Sequence, residues 1–192
     1  METLIHFFFE LVKIAVLASV YATLVVLIFK PLTKYRPDSW FARVAIRKMR
    51  LWFACGLVIS IGLFIYMFSY WGDHGLGDSA RIPIGHGRSV NQINSYGGYI
   101  TPKGYEMETL DIGEFAITDN FLFAKTSIAG PEANNKEVVA WDLRTNLLKF
   151  LEKDSDVEAF KKANGITDQL IFESFQDQYY KYWNGWRFWM LP

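Results

Sequence analysis

The chain has 192 residues, 51% of them hydrophobic and 17% aromatic, with twenty basic and twenty acidic side chains. The zero net charge is two opposite parts cancelling: residues 1–70 carry eight Lys and Arg against three Asp and Glu, and residues 71–192 carry twelve against seventeen. So acidic a C-terminal part is a poor nucleic-acid binder, and a single cysteine, Cys55, excludes an intramolecular disulfide.

Two apolar runs come first, Leu11 to Phe29 and Leu51 to Tyr70, and Ile14 to Phe29 and Phe53 to Phe68 contain no charge at all. A helix needs roughly 20 residues to cross a hydrocarbon core of about 30 Å, so the pattern predicts a helical hairpin of two transmembrane helices over residues 1–70. Between the runs stand Lys30, Lys34, Arg36, Arg43, Arg47, Lys48 and Arg50 against one acid, Asp38. Short basic loops stay cytoplasmic. Loop 30–50 is therefore expected inside, with both termini and everything after Tyr70 outside, a bacterial inner membrane being the simplest setting. The first run is too long for a cleaved signal peptide and lacks a small-residue cleavage site after it, so retention is expected.

His6, Glu10 and Lys13 precede the charge-free span at spacings of four and three, which places them on one helical face. Either they sit at the outer interface, with Lys13 reaching out to water, or they meet another helix of this chain or a partner. In the loop, Pro37-Asp38-Ser39 is a helix-start signal. It predicts an interfacial helix, or a cytoplasmic extension of the second span, with Arg43, Arg47, Lys48 and Arg50 among anionic lipid headgroups. Gly56 and Gly62 are six apart, which is not the small-xxx-small spacing of close helix pairs.

Residues 71–104 form a glycine-rich juxtamembrane segment holding eight of the fourteen glycines. A loop-rich stretch is expected, with Arg81 to Ile84 and Tyr99-Ile100 as short edge strands, since proline is tolerated at an edge. Candidate ligand-binding residues gather there: Asp73, His74, Asp78, Arg81, His86 and Arg88. Their spacing lacks the regularity of a metal site on an element, so no metal and no cofactor is expected. Gly85 to Arg88 can also form a small anion-binding nest.

Residues 105–192 read as a small α+β extracytoplasmic domain. Alternation over Leu110 to Ile117, then Phe121 to Lys125, Lys136 to Leu143 and Leu147 to Leu151, predicts an antiparallel meander of four or five strands. Val139, Trp141 and Leu143 share one face. Ser155 to Glu158 is a capping box, and Gly165-Ile166 fits a Schellman ending, giving a helix over Ser155 to Asn164. Thr167 is expected to cap a second helix with Phe172, Phe175, Tyr179 and Tyr182 on one stripe and Gly185 at its end, one or both helices packing on the sheet. The tail holds Trp183, Trp186, Arg187 and Trp189. It either closes the core, rests at the membrane interface or anchors a partner.

No Gly-x-Ser-x-Gly elbow, H-E-x-x-H or P-loop occurs. The expected function is a non-catalytic, membrane-anchored binding module, such as an accessory subunit of an envelope complex. His6, Glu10, Lys13, Trp183, Trp186, Arg187 and Trp189 are its candidate contacts to a membrane-protein partner or a second copy. The alternative is an envelope hydrolase or metal-dependent enzyme using His74 or His86 with Asp73 or Asp78.

Overall fold

The computed structural model describes residues 2–35, 47–73, 79–93, 96–105, 108–126 and 138–192. The chain divides into two compact units, Met1–Gly77 with Asn184–Pro192, and Asp78–Trp183.

In the first unit, α1 (Glu2–Tyr35) and α2 (Lys48–Met67) pack together. Phe7 meets Phe64 near one end, and the Trp52 indole donates to the Thr23 hydroxyl at 3.0 Å near the other, so the helices run antiparallel. Both are long and apolar enough to cross a membrane. Burial is confined to a narrow seam of Ile14, Leu17, Ala18 and Ala22 on α1 with Leu51 and Met67 on α2. The outward faces remain apolar: Val12, Val16, Val20, Leu57, Val58 and Ile61 are all exposed. A helix of a water-soluble domain turns its polar face outward; these turn hydrocarbon outward. Gly56 faces Ala22 in the seam, whereas nothing lies near Gly62. The interfacial helix expected over residues 37–46, and Arg43 with it, lies outside the described residues. Arg47, Lys48 and Arg50 are exposed at the start of α2.

The second unit is one seven-stranded antiparallel sheet in simple chain order: β1 (Ser79–Gly85), β2 (Arg88–Ile93), β3 (Tyr96–Ile100), β4 (Leu110–Ile117), β5 (Phe121–Thr126), β6 (Val138–Asp142) and β7 (Leu148–Leu151). The last four strands match the expected meander. The glycine-rich stretch departs from expectation, because it contributes three strands rather than isolated pieces. Pro83 does lie on the edge strand β1, opposite Ser89, but Tyr99-Ile100 belongs to the interior strand β3. The glycines serve packing here. A Cβ on Gly98 would stand 3.0 Å from Val90 and 3.2 Å from the Phe175 ring, so the missing side chain is the space those groups fill.

β5 and β6 are buried on both faces. Leu122, Ala124, Val139 and Trp141 point to one layer, joined by Leu143 and Phe175; Phe121, Phe123, Val138 and Ala140 point to the other, with Leu151 and Val157. Alternation along a strand sends neighbours to opposite sides, so two apolar layers need two covers. Helix α3 (Asp154–Ala163) closes the second through Val157 and Phe160, and α4 (Phe175–Trp183) closes the first through Phe175, Tyr179 and Tyr182.

Helix α3 begins one residue before the expected start and is capped at Lys153, not at Ser155. The Asp156 carboxylate accepts the Lys153 backbone N–H at 3.2 Å, which secures the first turn from that acid instead. The Schellman ending is present: Ile166 N–H donates to Lys161 O at 2.9 Å and Gly165 N–H to Lys162 O at 3.3 Å, with Gly165 at φ 67°. The expected second helix does not start at Thr167. Residues 166–174 run outside any helix, and Phe172 packs in the α3 layer, away from Phe175. Ser174 is the cap, its hydroxyl accepting the Asp177 N–H at 3.2 Å and donating to the Asp177 carboxylate at 2.6 Å. Gly185, at φ 73°, turns the chain after α4, and a further short helix, α5 (Trp186–Met190), follows.

The β6–β7 turn is held by polar side chains. Trp141 Nε1 donates to Asn146 Oδ1 at 2.9 Å in the core, and Asp142 Oδ1 accepts the Arg144 and Thr145 N–H groups at 2.9 and 3.2 Å. Burial pushes the Asp142 carboxyl upward, but those backbone donors, with the Thr145 side chain and the Arg144 charge, outweigh it and hold the group below its ordinary 3.8. A depressed folded-state value stabilises the ionised native form, fully above the unfolded value and decreasingly as pH falls through the folded one. Asp142→Ala is therefore expected to lower thermal stability at neutral pH, with the gap to the parent narrowing below about pH 4 in a circular-dichroism series. Gly98→Val is expected to destabilise by about 1–3 kcal/mol through overpacking against Phe175, read in the same melts.

Candidate functional site

Strand β4 carries a bulge: Ile112 pairs with Thr126 and Phe115 with Ala124, so β4 has one extra residue across Gly113-Glu114. That extra residue matters, because strict alternation after Ile112 would send Glu114 into the core. With it, Phe115 enters the core, Ala116 turns to the other layer and Ile117 is left partly exposed. β3 pairs with β4 only as far as Ile112. Beyond that point Phe115 exchanges both backbone hydrogen bonds with Glu173, at 2.9 and 3.1 Å.

This bridge holds segment 166–174 beside the bulged half of β4 and leaves a shallow cleft of about 240 Å³ between them, lined by Ile117, Thr118, Asp168, Ile171, Glu173 and Lys181, among others. Its rim combines two apolar side chains, Ile117 at 36% and Ile171 at 64% exposure, with an ion pair between Lys181 and Glu173. Lys125 forms a second pair with Glu114 at 2.5 Å while its ammonium lies 5.0 Å from the Phe172 ring. Pockets that enclose small molecules usually measure about 300–1,000 Å³ and cover most of the ligand. This open notch is smaller and less enclosed than that.

The residues singled out in the glycine-rich stretch are distributed. Asp73 follows α2 and is half-buried, and His74 and Asp78 lie outside the described residues. The Arg81 guanidinium donates through Nε to Asn91 Oδ1 at 3.1 Å, an oxygen that also accepts from the Ser89 hydroxyl at 3.3 Å. Gly85 pairs with Arg88, leaving His86 and Gly87 as a two-residue hairpin loop, both at positive φ as a type I′ turn requires. His86 is exposed there, and Arg88 is half-buried at the start of β2. Among the described residues, no group of three or more His, Cys, Asp or Glu side chains stands close enough to hold a metal ion.

The N-terminal polar stripe and the tail meet within the first unit. His6 Nε2 lies 3.7 Å from Glu10 Oε1, and Glu10 is largely shielded; its other oxygen is buried and accepts no hydrogen bond from the described residues. The Lys13 ammonium stands 5.3 Å from the centre of the Phe188 ring, and Tyr21 donates its hydroxyl to the Met190 carbonyl at 2.6 Å. Trp183 is separate from this group: it is buried in the sheet unit, its indole N–H donating to the Arg81 carbonyl of edge strand β1 at 2.8 Å. Beyond it, Trp186 and Trp189 are exposed, and the Arg187 guanidinium stacks on the Trp186 ring. The cleft and Tyr21 were not anticipated from sequence. Ser174-x-x-Asp177 was a visible capping signal, and Tyr21 the one phenol inside the first charge-free span; the bulge that exposes Ile117 had only Gly113 as a trace.

Compared with protein families, curated proteins and solved structures, the chain matches none. The ion pair on the cleft rim is solvent-exposed on the Lys181 side. Glu173→Gln is accordingly expected to change stability by less than about 1 kcal/mol, whereas Phe115→Ala at the bridge is expected to cost about 3–5 kcal/mol, both read by denaturant titration.

Proposed function

We propose that this chain is a two-pass, membrane-anchored binding module that presents its sheet domain to a partner protein on the side opposite the basic loop. It acts as an accessory subunit of a membrane complex in this reading. The observation that supports it most directly is the cleft, where exposed Ile117 and Ile171 lie beside a charged pair on a rigid bridge. Apolar anchors ringed by polar groups are how protein interfaces concentrate binding energy. The shielded Glu10 carboxylate, with one oxygen unsatisfied by the described residues, adds a second point at which a neighbouring membrane helix would complete a polar contact. In this reading Arg47, Lys48 and Arg50, exposed at the start of α2, supply attraction to anionic headgroups at the cytoplasmic face.

The hydrolase alternative uses His74 or His86 with Asp73 or Asp78, of which His74 and Asp78 lie outside the described residues. His86 occupies an exposed hairpin turn whose backbone geometry the surrounding glycines explain without chemistry. A photo-crosslinking amino acid at position 171, in protein expressed in its own membrane, is expected to give one product of defined mass. Ile171→Asp is expected to weaken recovery of that partner at least about tenfold with folding retained, the scale of losing one interface anchor. If crosslinks at 171 are no more specific than those at exposed Leu147, the cleft is not the recognition site. Loss of phenotype on His86→Ala with the fold preserved would instead favour the enzyme.

A further inference from the structure

We infer that α5 is a third membrane element, lying within the lipid leaflet opposite the basic loop, with Trp186, Phe188, Trp189 and Met190 facing acyl chains. The inference rests on the reading of α1 and α2 as membrane spans, and goes beyond it by placing the C-terminal helix in the bilayer.

Depth follows from the residues that α5 touches. If Phe29 marks the edge of the hydrocarbon on the basic-loop side, a core of about 30 Å ends near Glu10 on the other. Lys13 is then roughly 5 Å inside that far edge, and the Tyr21 hydroxyl, which leans toward the helix N-terminus, is roughly 12 Å inside. Phe188 sits against the first and the Met190 carbonyl against the second. Helices that lie in the interface bury their apolar faces about 5–10 Å deep. The contacts of α5, at about 5 and about 12 Å, span that zone and reach just below it.

The chemistry of the contacts fits a surrounding without water. A carbonyl at a helix C-terminus has no partner within its own helix, and hydrocarbon offers none. The Tyr21 hydroxyl supplies it, from a span whose neighbouring side chains Val16, Val20 and Leu24 are exposed hydrocarbon. Lys13 is likewise matched, its charge over the Phe188 ring. The faces that α5 leaves uncovered are large and apolar: Trp186 is 62% exposed, Phe188 55%, Trp189 73% and Met190 49%. They continue the outward apolar surface of α1, so lipid that coats one coats the other. Arg187 is the one charge on α5, stacked on Trp186 and long enough to reach the headgroups.

The test uses the full chain with Cys55→Ser, reconstituted in phosphatidylcholine vesicles, carrying one environment-sensitive fluorophore on a single introduced cysteine at position 189, 58 or 147. Vesicles contain phosphatidylcholine nitroxide-labelled at a shallow or a deep acyl position. Val58 is exposed on α2 and reports the span; Leu147 is exposed on the sheet domain. The expected result is quenching at 189 within about twofold of that at 58, strongest with the shallow nitroxide, and little quenching at 147. Quenching at 189 no greater than at 147, with 58 quenched, overturns the placement of α5 while leaving the spans intact. Absence of quenching at 58 overturns the spans, and the inference with them. Should Trp189→Cys fold poorly, Trp186→Cys carries the same measurement.

Discussion

The sheet domain depends on one constraint: its central strands β5 and β6 are hydrophobic on both faces. Phe121 and Phe123 lie on one side, Leu122 and Trp141 on the other. A strand with one wet face needs a single cover; these need two. The chain supplies them from consecutive C-terminal segments, α3 under Phe121 and Phe123 and α4 under Leu122 and Trp141. To do so it must pass from one face to the other, and it does so at the bulged end of β4, where Glu173 takes the backbone hydrogen bonds that β3 no longer provides.

The cleft is a by-product of that passage. The bulge keeps Phe115 inside at the expense of leaving Ile117 outside, and the crossing segment brings Ile171 to the same rim. The cleft sits on a long-range backbone bridge, a bulge and a capped helix start. Gly98 contributes at a distance: its missing side chain admits Phe175, which fixes the start of α4 and hence Lys181.

The first unit obeys a different solvent. Its seam is narrow and its outward surface is hydrocarbon, so water would be the wrong surroundings. The few polar groups near the apolar spans are paired locally: Trp52 with Thr23, Tyr21 with the Met190 carbonyl, Lys13 with Phe188, and His6 with one oxygen of Glu10. In hydrocarbon each unmatched group is costly. Among the described residues of this unit, the remaining Glu10 oxygen is the buried side-chain oxygen left without a hydrogen bond.

Elements governed by local chemistry were legible in the sequence. The two apolar helices followed from length and the absence of charge, the four strands from Leu110 onward from period-two alternation, the shared face of Val139, Trp141 and Leu143 from the same period, and the end of α3 from Gly165. Tertiary structure decided what depends on residues far apart in the chain. The glycine-rich stretch pairs into β1–β3, with Gly98 lying under Phe175, 77 positions later. Segment 166–174 stays out of a helix because Glu173 satisfies β4 and Ser174 offers a better cap than Thr167. Trp183 joins the sheet domain while Trp186 to Met190 joins α1, a division that a run of similar aromatic residues does not encode locally. It was decided by which surfaces remained to be covered.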